Sequence, residues 1–340
     1  MLLNLHTHLE GCVRPETARE LALSAGLPEP PDWEAALRMR DPADLTVFLA
    51  HVAAAYPVLA HLDGLARVAM EAVDDAADDG AVFVELRVGP STHAGPGRSI
   101  VDVLRAVCEG VAAARIPAGV VACLLRHEPE HVNIEVARAA CRLAGTGVVG
   151  LDVAGDELLF PALTPYADAF AMARAHGLGL TAHAAEASPA QAVREAVEVL
   201  GVSRIGHGSR AVEDPAVLGW SADQGVCFEV CPTSNVLTGA ASSLARHPIH
   251  RFLAAGCPVV LGDDDPVTTG VRLGAEVDRL LTVGGLDPSM MRDIATTSVD
   301  VAFCEDGLRA RLRRSLKDAA WPADRRGTAA GDAPAEQPAP

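Results

Sequence analysis

Lysine is nearly absent: Lys317 is the only one in 340 residues, and it lies in a helix-like stretch near the end. A lysine at a mid-chain strand end is therefore excluded from the chemistry. Aromatic residues make up only 4% of the chain, and positive charge is short as well, with a net charge of −17. No basic cluster offsets that charge along the chain, which argues against a nucleic-acid groove. The one Lys/Arg patch, residues 309–317, is expected to face solvent. Eight cysteines (12, 108, 123, 141, 227, 231, 257 and 304) are scattered and never fall as Cys-x-x-Cys. That spacing predicts neither a disulfide framework nor a cysteine zinc site. No apolar run is long and uncharged enough to span a bilayer, and no leader precedes the first apolar run. A soluble, cytoplasmic protein with neither membrane nor nucleic acid as partner is the expectation.

Hydrophobic residues are 49% of the chain, ample for a sizeable core. The chain opens on a short apolar run ending in His6-Thr7-His8. A helix is predicted over 15–25, with proline near its first position, then a Pro-rich break over 27–32. Residues 33–79 read as several helices, with Leu45, Phe48, Leu49 and Val52 at helical spacing. They suit a helical cap over a pocket and equally a plain outer layer.

Beyond that passage, β-branched runs recur at 82–88, 119–125, 148–153, 178–182, 204–206, 226–230 and 259–261. Helical segments at 101–114, 133–144, 165–176 and 189–200 separate several of them. With the opening run this makes eight strand candidates. Near-continuous apolar strands alternating with helices imply a parallel sheet buried on both faces. Eight such units in about 300 residues fit a closed (β/α)8 TIM barrel with a helical insertion after the first strand. No Gly-x-Gly-x-x-Gly follows a strand and no P-loop is present, so the doubly wound nucleotide folds lose ground. A single domain is expected over 1–320, with residues 12–80 as the cap region. Residues 321–340, rich in Pro, Ala, Gly and Asp, read as a disordered tail.

In such a barrel the chemistry sits where the strands end. The strand ends carry His6, His8 and Glu10; Asp152 to Glu157; His183 and Glu186; His207; Glu229 to Asn235; and Asp263, Asp264 and Asp265. The strand bodies between them are largely apolar, although Glu85 and Arg87 lie within the second. On a strand, residues i and i+2 share a face, so His6 and His8 present two imidazoles side by side. Three imidazoles and one carboxylate form a usual zinc set that leaves a position open for water. His6, His8, His183 and Asp264 supply it. A carbamylated lysine bridging two metals has no candidate, so one ion is favoured. Zinc brings its water to a pKa of about 7. His207 is free to orient or deprotonate that water, and Glu186 is placed to move a proton to or from substrate.

Together these stretches resemble the adenosine deaminase family of zinc amidohydrolases. The matching words are His-Thr-His-Leu-Glu-Gly from His6, Glu85-Leu86-Arg87, Asp152 to Glu157, His183-Ala-Ala-Glu186, Arg204 to Gly208, Cys231 to Asn235 and Asp264-Asp265-Pro266. They run in family order over about residues 2–310 and are specific as a set. The resemblance implies hydrolytic deamination of a 6-aminopurine, most of all adenosine to inosine plus ammonia. It implies that Glu186 protonates ring N1, that His207 and Asp265 position the hydroxide, that Asp265 reaches N7, and that the Gly155 N–H faces N3. Leu45, Phe48, Leu49 and Val52 look like the family's gate. Four positions depart from its usual pattern: Ala185 replaces Gly, Gly262-Asp263 replaces Asn-Thr, Val52 replaces a larger aromatic, and Glu10 stands where Asp often binds the ribose 5′-hydroxyl. Substrate choice therefore stays open among adenosine, adenine and a 5′-modified adenine nucleoside such as aminofutalosine. A catalytically silent barrel acting as a binding module is the reading from another class. Oligomeric state is not legible.

Overall fold

A computed structural model describes residues 1–318; the expected tail, 321–340, lies outside the described residues. Eight parallel strands follow one another around a barrel: β1 Leu2–His8, β2 Ala81–Val88, β3 Ala118–Leu125, β4 Val148–Ala154, β5 Gly179–Ala184, β6 Arg204–His207, β7 Cys227–Val230 and β8 Val259–Leu261. Every ladder is parallel and joins sequence neighbours. Closure occurs just past β8, where the Asp264 N–H donates to the His6 carbonyl at 2.9 Å and the His8 N–H to the Asp264 carbonyl at 2.7 Å. The TIM-barrel expectation is thus met, and the strand ends gather at one mouth.

Strand alternation explains how apolar runs come to carry charge. Leu3 and Leu5 join the core between strands and outer helices. Asn4 and His6 bond instead to Asp263 and Glu229, on the far side of the sequence. The barrel interior is therefore polar at this end while its outside is apolar, and both faces are buried.

Between β1 and β2 lie helices α1 Pro15–Ala25, α2 Trp33–Leu37, α3 Leu45–Ala53 and α4 Leu62–Asp78. Pro15 opens α1, and Gly26 closes it at φ +64°, a conformation that glycine adopts without penalty. Asp32 and Asp44 cap α2 and α3 by accepting backbone N–H groups of their first turns. Phe48 and Val52 of α3 pack with Met39 and Leu237 in a small cluster separate from the main core.

One sequence expectation is met with a shift of its start, and one needs correction. The stretch expected helical over 189–200 starts at Gln191 and turns into a π-helical turn at Ala196–Leu200. Arg309 does not simply face solvent: its guanidinium donates to the carbonyls of Val299, Asp300, Ala302 and Cys304, capping the preceding helix. All eight cysteines are free, as expected. Among the described residues no helix is long and apolar enough to cross a membrane.

Candidate active site

His6 and His8 leave β1 on one face, His183 comes from β5, His207 ends β6, and Asp264 follows β8. The Nε2 atoms of His6 and His8 are 3.3 Å apart, and Asp264 Oδ1 lies 3.4 Å from the first and 3.5 Å from the second. Four donors at zinc–nitrogen and zinc–oxygen distances of about 2.0–2.1 Å in a tetrahedron have edges of about 3.3–3.4 Å. The three measured separations match those edges. The His6 and His183 rings have centroids 4.7 Å apart, and those of His8 and His183 lie 5.2 Å apart. His207 also joins the group: one donor atom each from His6, His183, His207 and Asp264 fall within 4.8 Å of one another. Five donors thus converge, four of them the expected set. The His207 Nε2 stands further out, 4.0 Å from Asp264 Oδ2 and 3.7 Å from Glu186 Oε2.

Buried carboxylates behind the imidazoles set their orientation. His6 Nδ1 meets Glu229 Oε2 at 2.9 Å, and His183 Nδ1 meets Asp152 Oδ2 at 3.0 Å. Each carboxylate holds a proton on Nδ1 and so turns the Nε2 lone pair to the common centre, the arrangement that metal-binding histidines use. The donor set fits a borderline divalent cation such as zinc.

Below this layer lies a fully buried ion network. Arg87 bridges Asp152 and Glu229, while Arg204 bridges Glu229 and Glu85. Thr181 Oγ1 adds a bond to Glu229 Oε1 at 2.8 Å. Although burial alone would push it up, Arg87 and Arg204 hold Glu229 well below the usual carboxylate range. Of these residues, only Glu85 and Arg87 stood out as charges inside a strand; their partners passed as strand-end acids or as part of a motif. The available signal was charge of both signs at alternate positions in otherwise apolar strands.

Glu186 faces the same mouth. Burial, with Asp264 and Glu157 nearby, drives its carboxyl well above the normal carboxylate range, which favours the protonated form. Thr238 Oγ1 donates to its Oε1 at 3.1 Å. The turn that carries it is braced by Glu157, whose Oε2 accepts from Ser188 N at 2.8 Å and Ser188 Oγ at 2.6 Å. Ala185, His207 and Asp264 all have positive φ, at 55°, 59° and 62°. Non-glycine residues in that region store strain and concentrate at functional sites.

Small residues make room for these groups. A Cβ on Gly206 would stand 3.1 Å from His6 Cε1 and 3.2 Å from His183 Cγ. One on Gly11 would overlap Asp265 Oδ1 at 2.0 Å. Gly262, a departure noted above, lies so close to β1 that a Cβ would come within 2.4 Å of the His6 carbonyl oxygen.

A cavity of about 370 Å³ opens over the cluster, lined by His8, Glu10, Gly155, Glu186, His207 and Asp265 among others. Leu45, Phe48, Leu49 and Val52 of α3 form one wall. Thr46 Oγ1 bonds Asp156 Oδ2 at 2.5 Å, tying α3 to the loop after β4. Asp265 Oδ1 is buried with no hydrogen-bond partner. Glu10 Oε1 is already engaged, by the Gly89 N–H at 3.1 Å and His93 Nε2 at 3.0 Å. Tyr56, which also lines the cavity, and His93 were not singled out in the sequence, where each is an isolated residue within a helical or loop stretch.

The adenosine deaminase family model matches residues 2–319. An adenosine deaminase of Erwinia tasmaniensis is 34% identical over 325 residues, covering 93% of this chain and 97% of that protein. An aminodeoxyfutalosine deaminase of Acidothermus cellulolyticus is 34% identical over 336 residues, covering 94% and 92%. Among solved structures, an adenine deaminase from Arthrobacter aurescens superposes with a TM-score of 0.85 at 27% identity, covering 93% of this chain and 98% of that one. With its strand-end imidazoles and carboxylates in that family's order, the chain belongs to the adenosine deaminase family and is an aminohydrolase.

Proposed function

We propose that the protein is a cytoplasmic, zinc-loaded hydrolase that replaces the 6-amino group of a purine nucleoside or base, with adenosine as the first candidate substrate. The observation that carries this reading is a buried carboxyl, Glu186, at the wall of the cavity that opens over the His6–His8–Asp264 triangle, where burial raises its pKa. His6, His8, His183 and Asp264 would hold the ion, and zinc there supplies a water acidified to a pKa of about 7.

Glu186 donates its proton to ring N1, which makes C6 electrophilic. His207 holds the attacking oxygen in line with C6. Asp265, whose side chain lines the cavity, meets N7. Gly155, at φ +115°, turns its backbone toward the cavity where the N–H would face N3. Glu10 retains one carboxylate oxygen for a sugar hydroxyl. Leu45 and Phe48 cover the purine, and residues 12–80 act as the cap of a single domain over 1–320. Shielding by that cap strengthens each polar contact inside.

A 5′-substituted nucleoside is the second reading. It rests on an apolar rim, because Leu159 and Phe160, in the loop after β4, line the cavity and are large, exposed side chains. Turnover by zinc-loaded protein of adenosine, adenine and a nucleoside with an apolar 5′-substituent, followed by ultraviolet absorbance, separates the readings. Highest kcat/KM on adenosine supports the first; preference for the substituted nucleoside supports the second. Full metal occupancy without turnover of any aminopurine would sink both and leave a silent binding module.

A further inference from the structure

Behind His207, on the side away from the cavity, runs a chain of three buried side chains. His207 Nδ1 lies 3.0 Å from Asn235 Nδ2, and Asn235 Oδ1 lies 3.1 Å from His247 Nε2. The chain ends on the backbone N–H of Ile249, which donates to His247 Nδ1 at 3.1 Å. His207 and His247 are 2% exposed and Asn235 is fully buried, so water does not compete for these bonds.

The backbone donor decides the direction of every bond in the chain. A peptide N–H only donates, so His247 Nδ1 must accept. Burial, with His250 nearby, lowers the His247 pKa to about 3, so the ring is neutral and its proton sits on Nε2. That proton requires an acceptor on Asn235, which is Oδ1. The amide is thereby oriented with its NH2 toward His207, and His207 Nδ1 must accept in turn. An imidazole that accepts at Nδ1 cannot be an imidazolium, which has N–H at both positions. Its one proton therefore lies on Nε2, the nitrogen that faces Glu186 and Asp264.

We propose that His247, acting through Asn235, is a positioning residue that locks His207 in the Nε2–H tautomer. His207 then offers a donor to the attacking oxygen and has no free lone pair with which to act as a base. Of the two roles open to it, orienting and deprotonating, only the first is compatible with the relay. This proposal rests on the proposed function only in placing His207 beside the reacting atoms. The tautomer itself follows from the relay.

The test uses zinc-loaded protein with 15N-labelled histidine, in which nitrogen shifts distinguish protonated from bare ring nitrogens. In the wild type, His207 should show a bare Nδ1 and a protonated Nε2. Asn235→Asp replaces the amide by a carboxylate that accepts from both imidazoles. It should move the His207 proton to Nδ1 and lower kcat about 10²- to 10⁴-fold, with metal content and KM little changed. His247→Leu should mix the tautomers and lower kcat about tenfold, and His247→Gln, which keeps an N–H near the Nε2 position, should recover most of that loss. A protonated Nδ1 in wild-type His207 would overturn the proposal. So would an Asn235→Asp protein, folded and metal-loaded, with unchanged tautomer and kcat. Should His247→Leu fail to fold, the near-isosteric Asn235→Asp variant still decides. Correct tautomers in a protein that turns over no aminopurine would sink the proposed function and leave the relay standing.

Discussion

Glu229 holds His6 Nδ1 at 2.9 Å with one carboxylate oxygen and Arg204 Nε at 2.6 Å with the other. One side chain thus links the imidazole cluster to the ion network beneath it. Removing a group from the lower layer should be felt in the upper one, and the two layers should respond differently to substitution.

Glu186→Gln keeps the shape of the side chain and removes its acidic proton. Metal content should stay at the wild-type level while kcat falls about 10²- to 10⁴-fold. Metal analysis alongside absorbance kinetics checks both halves, and a near-wild-type rate would remove Glu186 from its role as proton donor.

Asp152→Asn weakens the hold on His183 without touching the donor atoms of the cluster. Partners of this kind are worth about 10–100-fold in metal affinity. Competition with a chelator should show a loss of that size, with the fold intact by circular dichroism.

Arg204→Leu strips a cation from Glu85 and Glu229, both fully buried. Breaking a buried ion pair from one side costs about 3–5 kcal/mol. Urea denaturation should register it, and a loss under 1 kcal/mol would mean that water reaches the network.

Ala185 sits at φ +55° in the turn before Glu186, where glycine is free of strain. The left-handed conformation costs about 1–2 kcal/mol for a residue with a Cβ, and glycine gives back about 0.5–1 kcal/mol in chain entropy. Ala185→Gly should therefore stabilise the protein by up to about 1 kcal/mol, seen as a higher midpoint of denaturation.

Glu276 accepts from the Thr233 N–H, and burial raises its pKa from 4.5 to about 7. Between those values the folded state binds more protons at this group than the unfolded state. Its contribution to stability therefore falls as pH rises from about 4.5 to about 7, then levels off. Glu276→Gln should flatten that part of the stability–pH curve; an unchanged slope would assign the dependence elsewhere.

How much of this was legible beforehand differs from group to group. His6 and His8 could be paired from sequence because a strand repeats every two residues, and that is a local property. The barrel could be read from β-branched runs alternating with helical stretches, since burial on both faces imposes an apolar composition. His183, Glu186, His207, Asp264 and Asp265 could be gathered because each follows a run of that kind, and parallel strands bring all such ends to one mouth.

His93 and His247 show the other side. Nothing in their immediate neighbours distinguishes His247, in a helix-opening stretch, from a histidine that simply faces solvent. What makes it matter is a 3.1 Å bond to Asn235, twelve residues back and within the helix that follows β7. Arg87, Asp152, Glu229 and Arg204 are alike in this respect, because which acid faces which base depends on the register of four strands.

The amino-acid order by itself determined the parallel barrel, the place of the chemistry on it and the type of donor atoms available, because periodicity and local composition act over a few residues. The tertiary structure alone decided the tautomers, the raised pKa of Glu186 and the partner of each buried charge. Hydrogen-bond direction and desolvation depend on atoms a few ångströms away in space, whatever their separation along the chain.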